Sequence, residues 1–330
     1  MAFRLFLLLL TFVSYLTLMT SIHGLQKIFS AGFDNGYGNL KLLVDGFDVV
    51  RIPSYISTAD MEDVPGRVEF EGKAYTVGES AFRAGTHFER NTDSNENKVK
   101  NALTTLLGAL AHLPHRKAWH LKMVVSLHDV GLAEELKQVL NGEYQPILAG
   151  KPSEVKVEVL KVIPEGMGAL FGQPLPKKLT VLDFGNGTTL FSRYNQGKRE
   201  VHTPYPTGVE VLIDDIAQKM KHLNGGKVAD PAKIRYCLEK GHTRYNRDID
   251  IKDIYIACLK DWYEKYLKKA VNLALDAKHS GDELWAIGGG CLLPGFTKLL
   301  EKNGFKVLDN PVEANVVGLL EMAKTIASKN

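Results

Sequence analysis

The sequence is short of cysteine, with three in 330 residues: Cys237, Cys258 and Cys291, widely spaced and without a C-x-x-C pair. Three such thiols cannot all pair internally, so neither a disulfide framework nor a structural zinc site is expected to organise the fold. Buried, inert thiols in a reducing compartment are expected instead. Net charge is nearly absent as well. Lys and Arg number 41 against 38 Asp and Glu, a formal +3, which is no basic field for wrapping nucleic acid. No direct sequence-specific DNA binding is expected, and any link to DNA would run through another protein.

Long hydrophobic runs are missing too, with one exception. Residues 5–22, LFLLLLTFVSYLTLMTSI, carry no charge and as a helix would reach about 27 Å, marginally enough to span a bilayer. Four readings stay open for this leader: a start codon placed too far upstream, a membrane anchor, a secretory signal, or a buried helix. Arg4 lies on one side and Lys27 on the other, so charge bias leaves the orientation undecided.

Beyond residue 26 the pattern is regular. KIFSAGFD, GNLKLLVDG and FDVVRIP are three β-rich runs separated by Gly and Asp, as in an antiparallel meander. A polar stretch near 54–97 reads as a small inserted subdomain. Apolar residues at helical spacing follow over 95–113 (Val99, Leu103, Leu106, Leu107, Leu110), then the strand HLKMVVSL, a helix over 133–140 and the strand EVKVEVLKVI. The second half repeats the order, with KLTVLDFG, TTLFSRYN and KREVHTPYP, an amphipathic helix over 209–220, the strand ELWAIGG and a closing helix over 312–327. Internal duplication explains the repeat economically. The expected organisation is a leader (1–26), a first α/β domain with its insertion (27–163), and a second α/β domain (164–330), with a ligand between the halves.

Each half carries one glycine-rich turn between strands. A turn without Cβ atoms exposes several backbone N–H groups on one side, which suits a phosphate chain. Asp34-Asn35-Gly36-Tyr37-Gly38-Asn39-Leu40-Lys41 and Asp183-Phe184-Gly185-Asn186-Gly187-Thr188-Thr189 have this form. Either alone is most often an ordinary hairpin; their matched positions in two repeated halves are the signal. Facing each other, they would grip phosphates from both sides, with Lys41 neutralising charge. Asp34 and Asp183, at the ends of buried strands, would be satisfied by a hydrated Mg²⁺. A third element, Ala286-Ile287-Gly288-Gly289-Gly290-Cys291, would let a flat base and ribose approach the backbone.

With these residues in view, the chain resembles the actin, Hsp70 and sugar-kinase superfamily, and in detail the bacterial actin-like proteins that segregate plasmids, the ParM or StbA branch. The resemblance runs over 28–327. AGFDNGYGNLKL looks like the first phosphate motif, VLDFGNGTTLF like the second and AIGGGCLLPGF like the adenosine motif; IPEGMGAL (163–170) and EANVVGLLEMA are similar to the two connecting helices. It implies the duplicated, RNase H-like α/β fold with a nucleotide cleft. By resemblance, Asp34 and Asp183 hold Mg²⁺ mainly through water, and Lys41 contacts phosphate. Gly36, Asn39, Gly185, Asn186, Gly187, Thr188 and Thr189 bind the phosphate side, Gly288, Gly289 and Gly290 border the nucleoside, and Gly208 comes near the ribose or phosphates. Glu165 matches the position that orients the attacking water. One departure is Tyr37, a bulky ring where many relatives have a small residue, which would alter nucleotide preference or pack outward.

Chaperones of this superfamily carry a further peptide-binding domain, and sugar kinases need a substrate base for which no motif is present here. The resemblance thus implies a cytoplasmic ATPase, with GTP as the alternative nucleotide. It would polymerise with copies of itself, depolymerise after hydrolysis and move plasmid DNA through a DNA-binding adaptor. The alternatives are a membrane-associated scaffold, tethered through 5–22 if the leader is present, and a small-molecule kinase.

Overall fold

A computed structural model describes residues 27–59, 61–62, 64–83, 88–90, 94–246 and 249–329. The leader and its four readings lie outside these residues. Among the described residues, no helix is long and apolar enough to cross a membrane.

Two mixed sheets share one plan. In the first, Ile28–Asn35 pairs antiparallel with Asn39–Val44, which pairs with Val50–Pro53; on its other side it runs parallel to Ala118–Leu127, followed by Glu154–Pro164 and the edge strand Gly142–Tyr144. In the second, Lys178–Phe184 pairs antiparallel with Thr189–Asn195 and that with Lys198–Tyr205, while Glu283–Ile287 and Phe305–Val307 add in parallel. The expected duplication is thus visible as strand order: an antiparallel meander, then parallel strands beside its first member.

The reason lies in the alternation. In Asn39–Val44, Leu40, Leu42 and Val44 are buried on one face, as a period of two requires. They join Phe29, Phe33 and Leu121 in a core that the helix Ala102–Leu110 covers with Leu106, Leu107 and Leu110. The second core has the same build, with Leu182 and Phe184 from the strands and Leu212, Ile213 and Ile216 from the helix Val209–Lys219.

Three local expectations are corrected. The single helix expected over 95–113 is two, Asn95–Lys100 and Ala102–Leu110, broken at Asn101 (φ −96°, ψ 3°). The connecting helix that the resemblance implied over 163–170 is absent. Glu154–Pro164 runs on as strand, Gly166 adopts a left-handed conformation at φ 77° that favours glycine, and only a 3₁₀ turn, Met167–Leu170, follows. The polar insertion forms its own six-stranded sheet, and two of its strands, Ile147–Leu148 and Lys151–Pro152, come from a later stretch that no sequence pattern marked.

The helix Ala314–Ala327 closes the second half yet packs on the first sheet, where Leu319 and Ala323 meet Val124 and Ile163. It crosses the Met167–Leu170 turn at Gly168 and Gly318, so closely that a Cβ on either would strike backbone of the other segment. The two connections between halves therefore touch each other directly beneath the cleft.

Candidate nucleotide cleft

The two glycine turns face each other in one cleft, where the Tyr37 ring of the first meets Gly187 of the second. Strand register fixes what each turn presents. Asp34 lies opposite Lys41 on the neighbouring strand, and Asp183 opposite Leu190. Each turn is also braced from outside. Ser54 Oγ donates to Gly36 O at 2.6 Å, and Ser54 N donates to Gly38 O. The second turn abuts a helix start: the N–H groups of Gly208, Val209 and Glu210 donate to the carbonyls of Gly187, Gly185 and Asn186. With its carbonyls so engaged, the second turn is held to one backbone shape beside the cleft.

The charged residues separate by environment. Buried Asp34 accepts from Lys41 Nζ at 2.9 Å and from Ser126 Oγ at 2.9 Å, one bond per oxygen. Asn315 Nδ2 donates in turn to Ser126 Oγ, while Asn315 Oδ1 accepts from Gly168 N, so the closing helix is tied to the aspartate and to the turn below it. Burial works against the Lys41 ammonium, but Asp34, with Asp183 and Glu165 behind it, raises its pKa above the ordinary lysine value. Asp183 differs. Burial, only partly offset by Lys41 and reinforced by the like charges of Glu165 and Asp34, pushes its carboxyl up to about 7.

Glu165 sits between Pro164 and left-handed Gly166, with no α-helix behind it. Its Oε1 accepts from Lys98 Nζ at 2.8 Å, and His128 Nδ1 lies 3.4 Å from its Oε2. Burial alone would raise its pKa; the Lys98 charge and the hydrogen bonds from His128 and Lys98 outweigh burial and hold it at about 2. A carboxylate so acidic is a poor proton acceptor. It is well suited to accept hydrogen bonds from a water and aim it.

Of the residues singled out in the sequence, the cleft is lined by Asp34, Gly36, Asn39, Lys41, Glu165, Asp183, Gly185, Asn186, Gly187, Thr188, Gly288, Gly289 and Gly290. Two stand apart. Thr189 is wholly buried in its strand, its Oγ1 donating to Thr207 O, and Gly208 lies against the Asn186–Gly187 backbone, where a Cβ would collide. Tyr37 does not pack outward: its ring rests on Gly187 of the opposite turn. Around the three glycines the cleft is apolar, lined by Val209, Ile213, Leu238 and Leu293. Its rim carries Arg51, Arg235 and Glu239, which the sequence reading missed. Arg235 and Glu239 fall on one face of Pro231–Glu239, the sole sequence signal for them. Arg51 Nη2 meets Glu239 Oε2 at 3.1 Å, joining the halves across the mouth.

Two observations bear on ligands. Asn186 Nδ2 is buried without a hydrogen-bond partner among the described residues, a donor that a phosphate oxygen would satisfy. Among those residues there is also no group of three or more His, Cys, Asp and Glu able to hold a metal alone. A metal here would be shared with phosphate and water, which fits Mg²⁺ rather than a metal needing a full protein cage. Asp183 accepts no side-chain hydrogen bond among the described residues, whereas each oxygen of Asp34 accepts one and keeps a lone pair for a metal-bound water.

Residues 32–168 match the family described as the N-terminal domain of actin-like proteins. Among solved structures, apo pSK41 ParM aligns with 92% of this chain and 98% of its own at 16% identity and a TM-score of 0.66. The archaeal actin homolog Ta0583 in complex with ADP covers 90% of this chain and 99% of its own (19% identity, TM-score 0.73). The subunit of a 15-stranded ParM filament from Clostridium botulinum covers 91% and 99% (21% identity, TM-score 0.65). No curated protein matches the chain. The mixed α/β architecture is therefore that of actin-like proteins.

Proposed function

We propose that this chain, an actin-like protein in its fold and in the match of its residues 32–168, binds Mg·ATP in the cleft, assembles into filaments and disassembles after hydrolysis. The observation that carries the reading is the pair of braced glycine turns facing each other, with Lys41 and Asp34 on one side, Asp183 on the other and ionised Glu165 at the cleft floor. The halves 27–163 and 164–330 are taken as the two domains that close on the nucleotide.

The backbone N–H groups of both turns, Thr188 and the unpartnered Asn186 amide would bind phosphate oxygens, and Lys41 would neutralise part of their charge. Asp183 and Asp34, mainly through water, would hold Mg²⁺, which would supply positive charge against that of the phosphates. Glu165 orients the attacking water, and with a pKa of about 2 it does so as an anion that accepts hydrogen bonds. Gly288, Gly289 and Gly290 border the nucleoside. The filament relatives support self-assembly. Transport of plasmid DNA through a DNA-binding adaptor in the cytoplasm is the cellular role that this reading favours, consistent with a nearly neutral chain.

Sedimentation of the protein with ATP, GTP, ADP or no nucleotide, with and without Mg²⁺, tests the proposal. Pelleting that requires Mg²⁺ and a triphosphate is expected. A persistent monomer that releases ADP only when a small-molecule acceptor is added would make it a kinase instead.

A further inference from the structure

Lys98 lies outside the cleft lining, yet it is buried (5% exposed) and aimed at the cleft floor. A buried ammonium is costly unless paired, and among the described residues this one makes a single side-chain bond, 2.8 Å to Glu165 Oε1. The opposite oxygen faces His128. Other charged groups around Glu165 are Lys41 of the first half and, from the second, Asp183 and His202 on the strand Lys198–Tyr205.

We infer that Lys98 is the positioning residue for Glu165, holding the carboxylate at the orientation in which it aims water; this rests on the proposed role of Glu165. The position of Glu165 makes such a support necessary. It occupies an irregular turn between Pro164 and Gly166, with backbone anchorage from its N–H to Leu127 O but no helix to fix its side chain. The break at Asn101 makes the support possible. It leaves Asn95–Lys100 as a separate short helix whose inward side carries Lys98 and Val99, with Ser94 Oγ capping it by accepting from Asn97 N. Asn35 Nδ2 donates to Lys98 O, so this helix is fastened to the strand end that also bears Asp34.

The test compares Lys98→Met, Lys98→Arg, Glu165→Gln and the double variant Lys98→Met/Glu165→Gln in the full chain. Single-turnover hydrolysis and the Kd for Mg·ATP are the readouts. Lys98→Met should slow hydrolysis about 10- to 100-fold, approaching Glu165→Gln, with Kd within about two-fold of the parent. Lys98→Arg should recover most of the rate. The double variant should be no slower than Glu165→Gln, because a residue acting only through its partner adds nothing once the partner is gone. Parental hydrolysis in Lys98→Met, a multiplicative loss in the double variant, or a Kd loss equal to the rate loss would each overturn the inference. Parental hydrolysis in Glu165→Gln would instead overturn the role of Glu165 itself, and so tells the two failures apart. Should Lys98→Met fail to fold because it strands a buried carboxylate, the double variant, which keeps neither charge, and Lys98→Arg carry the same comparison.

Discussion

At the scale of single residues, the cleft holds two carboxylates of opposite character. Glu165 is stabilised as an anion; Asp183 is not. With a folded-state pKa of about 7 against about 3.9 in an unfolded chain, Asp183 binds more protons folded than unfolded between those values. Its cost to stability is therefore absent at low pH, grows as pH rises and is complete above about 7. Asp183→Asn should raise the stability of the nucleotide-free protein near pH 8 by something on the order of 2 kcal/mol, after allowing for solvent screening in the open cleft. The gain should be smaller near pH 5, and Mg·ATP affinity should collapse. Thermal melts at both pH values, with titration calorimetry, measure this; a parental melt near pH 8 would mean that the cost lies elsewhere. Asp34, Lys41 and Asp183 were legible in the sequence because each lies beside a glycine turn that only a few chemistries explain; Glu165 was reached only through the family resemblance, at the start of a connecting helix that the structure does not form. Lys98 was not legible. Helical spacing marks apolar faces, and a lysine that turns inward to meet a distant partner leaves no trace in it; Arg51, exposed on the strand Val50–Pro53, reads as an ordinary solvent-facing residue.

Among elements, the strands read best from sequence, since the period of two survives wherever one face is buried. Helix limits failed where backbone geometry overruled spacing. Val99, Leu103 and Leu106 continue one helical stripe through Asn101, yet the chain breaks there, which frees the first short helix to point Lys98 at the cleft. At 163–170 the strand runs on to Pro164 and left-handed Gly166 turns it into a single 3₁₀ turn, where an α-helix was expected. The crossing of the Met167–Leu170 turn by the helix Ala314–Ala327 depends on two glycines far apart in sequence, a relation no local pattern contains. Gly318→Ala should drive a methyl into the Gly168 backbone and cost about 1–3 kcal/mol. A lower melting temperature and weaker nucleotide binding are expected, because Asn315 on that helix also supports Asp34 through Ser126. A variant that melts and binds like the parent would show that the crossing can relax without consequence.

For the whole molecule, the two halves meet where the helix Ala314–Ala327 packs on the first sheet, where the Tyr37 ring rests on Gly187, and at the Arg51–Glu239 pair across the cleft mouth. Both partners of that pair are partly exposed, so it contributes no more than about 1 kcal/mol. Arg51→Ala should accelerate release of a fluorescent nucleotide by a few-fold at low salt and less at high salt, where the parental pair is already screened; an unchanged release rate at both would remove the pair from the opening motion. The duplicated plan was readable as matched strand–turn–strand motifs, whereas the way the second half sends its last helix back onto the first sheet appeared only in three dimensions. That shared frame is what would let nucleotide chemistry alter the relation between the halves, and hence assembly.

The central claim, that Glu165 drives hydrolysis in the cleft and hydrolysis ends the filament, is tested most directly by recording phosphate release and light scattering together after adding Mg·ATP to the parent and to Glu165→Gln. The variant should bind and assemble like the parent, release phosphate about 10²-fold more slowly, and keep its scattering long after the parental signal has decayed. Parental phosphate release from the variant, or decay of its filaments on the parental schedule while phosphate stays bound, would contradict the account.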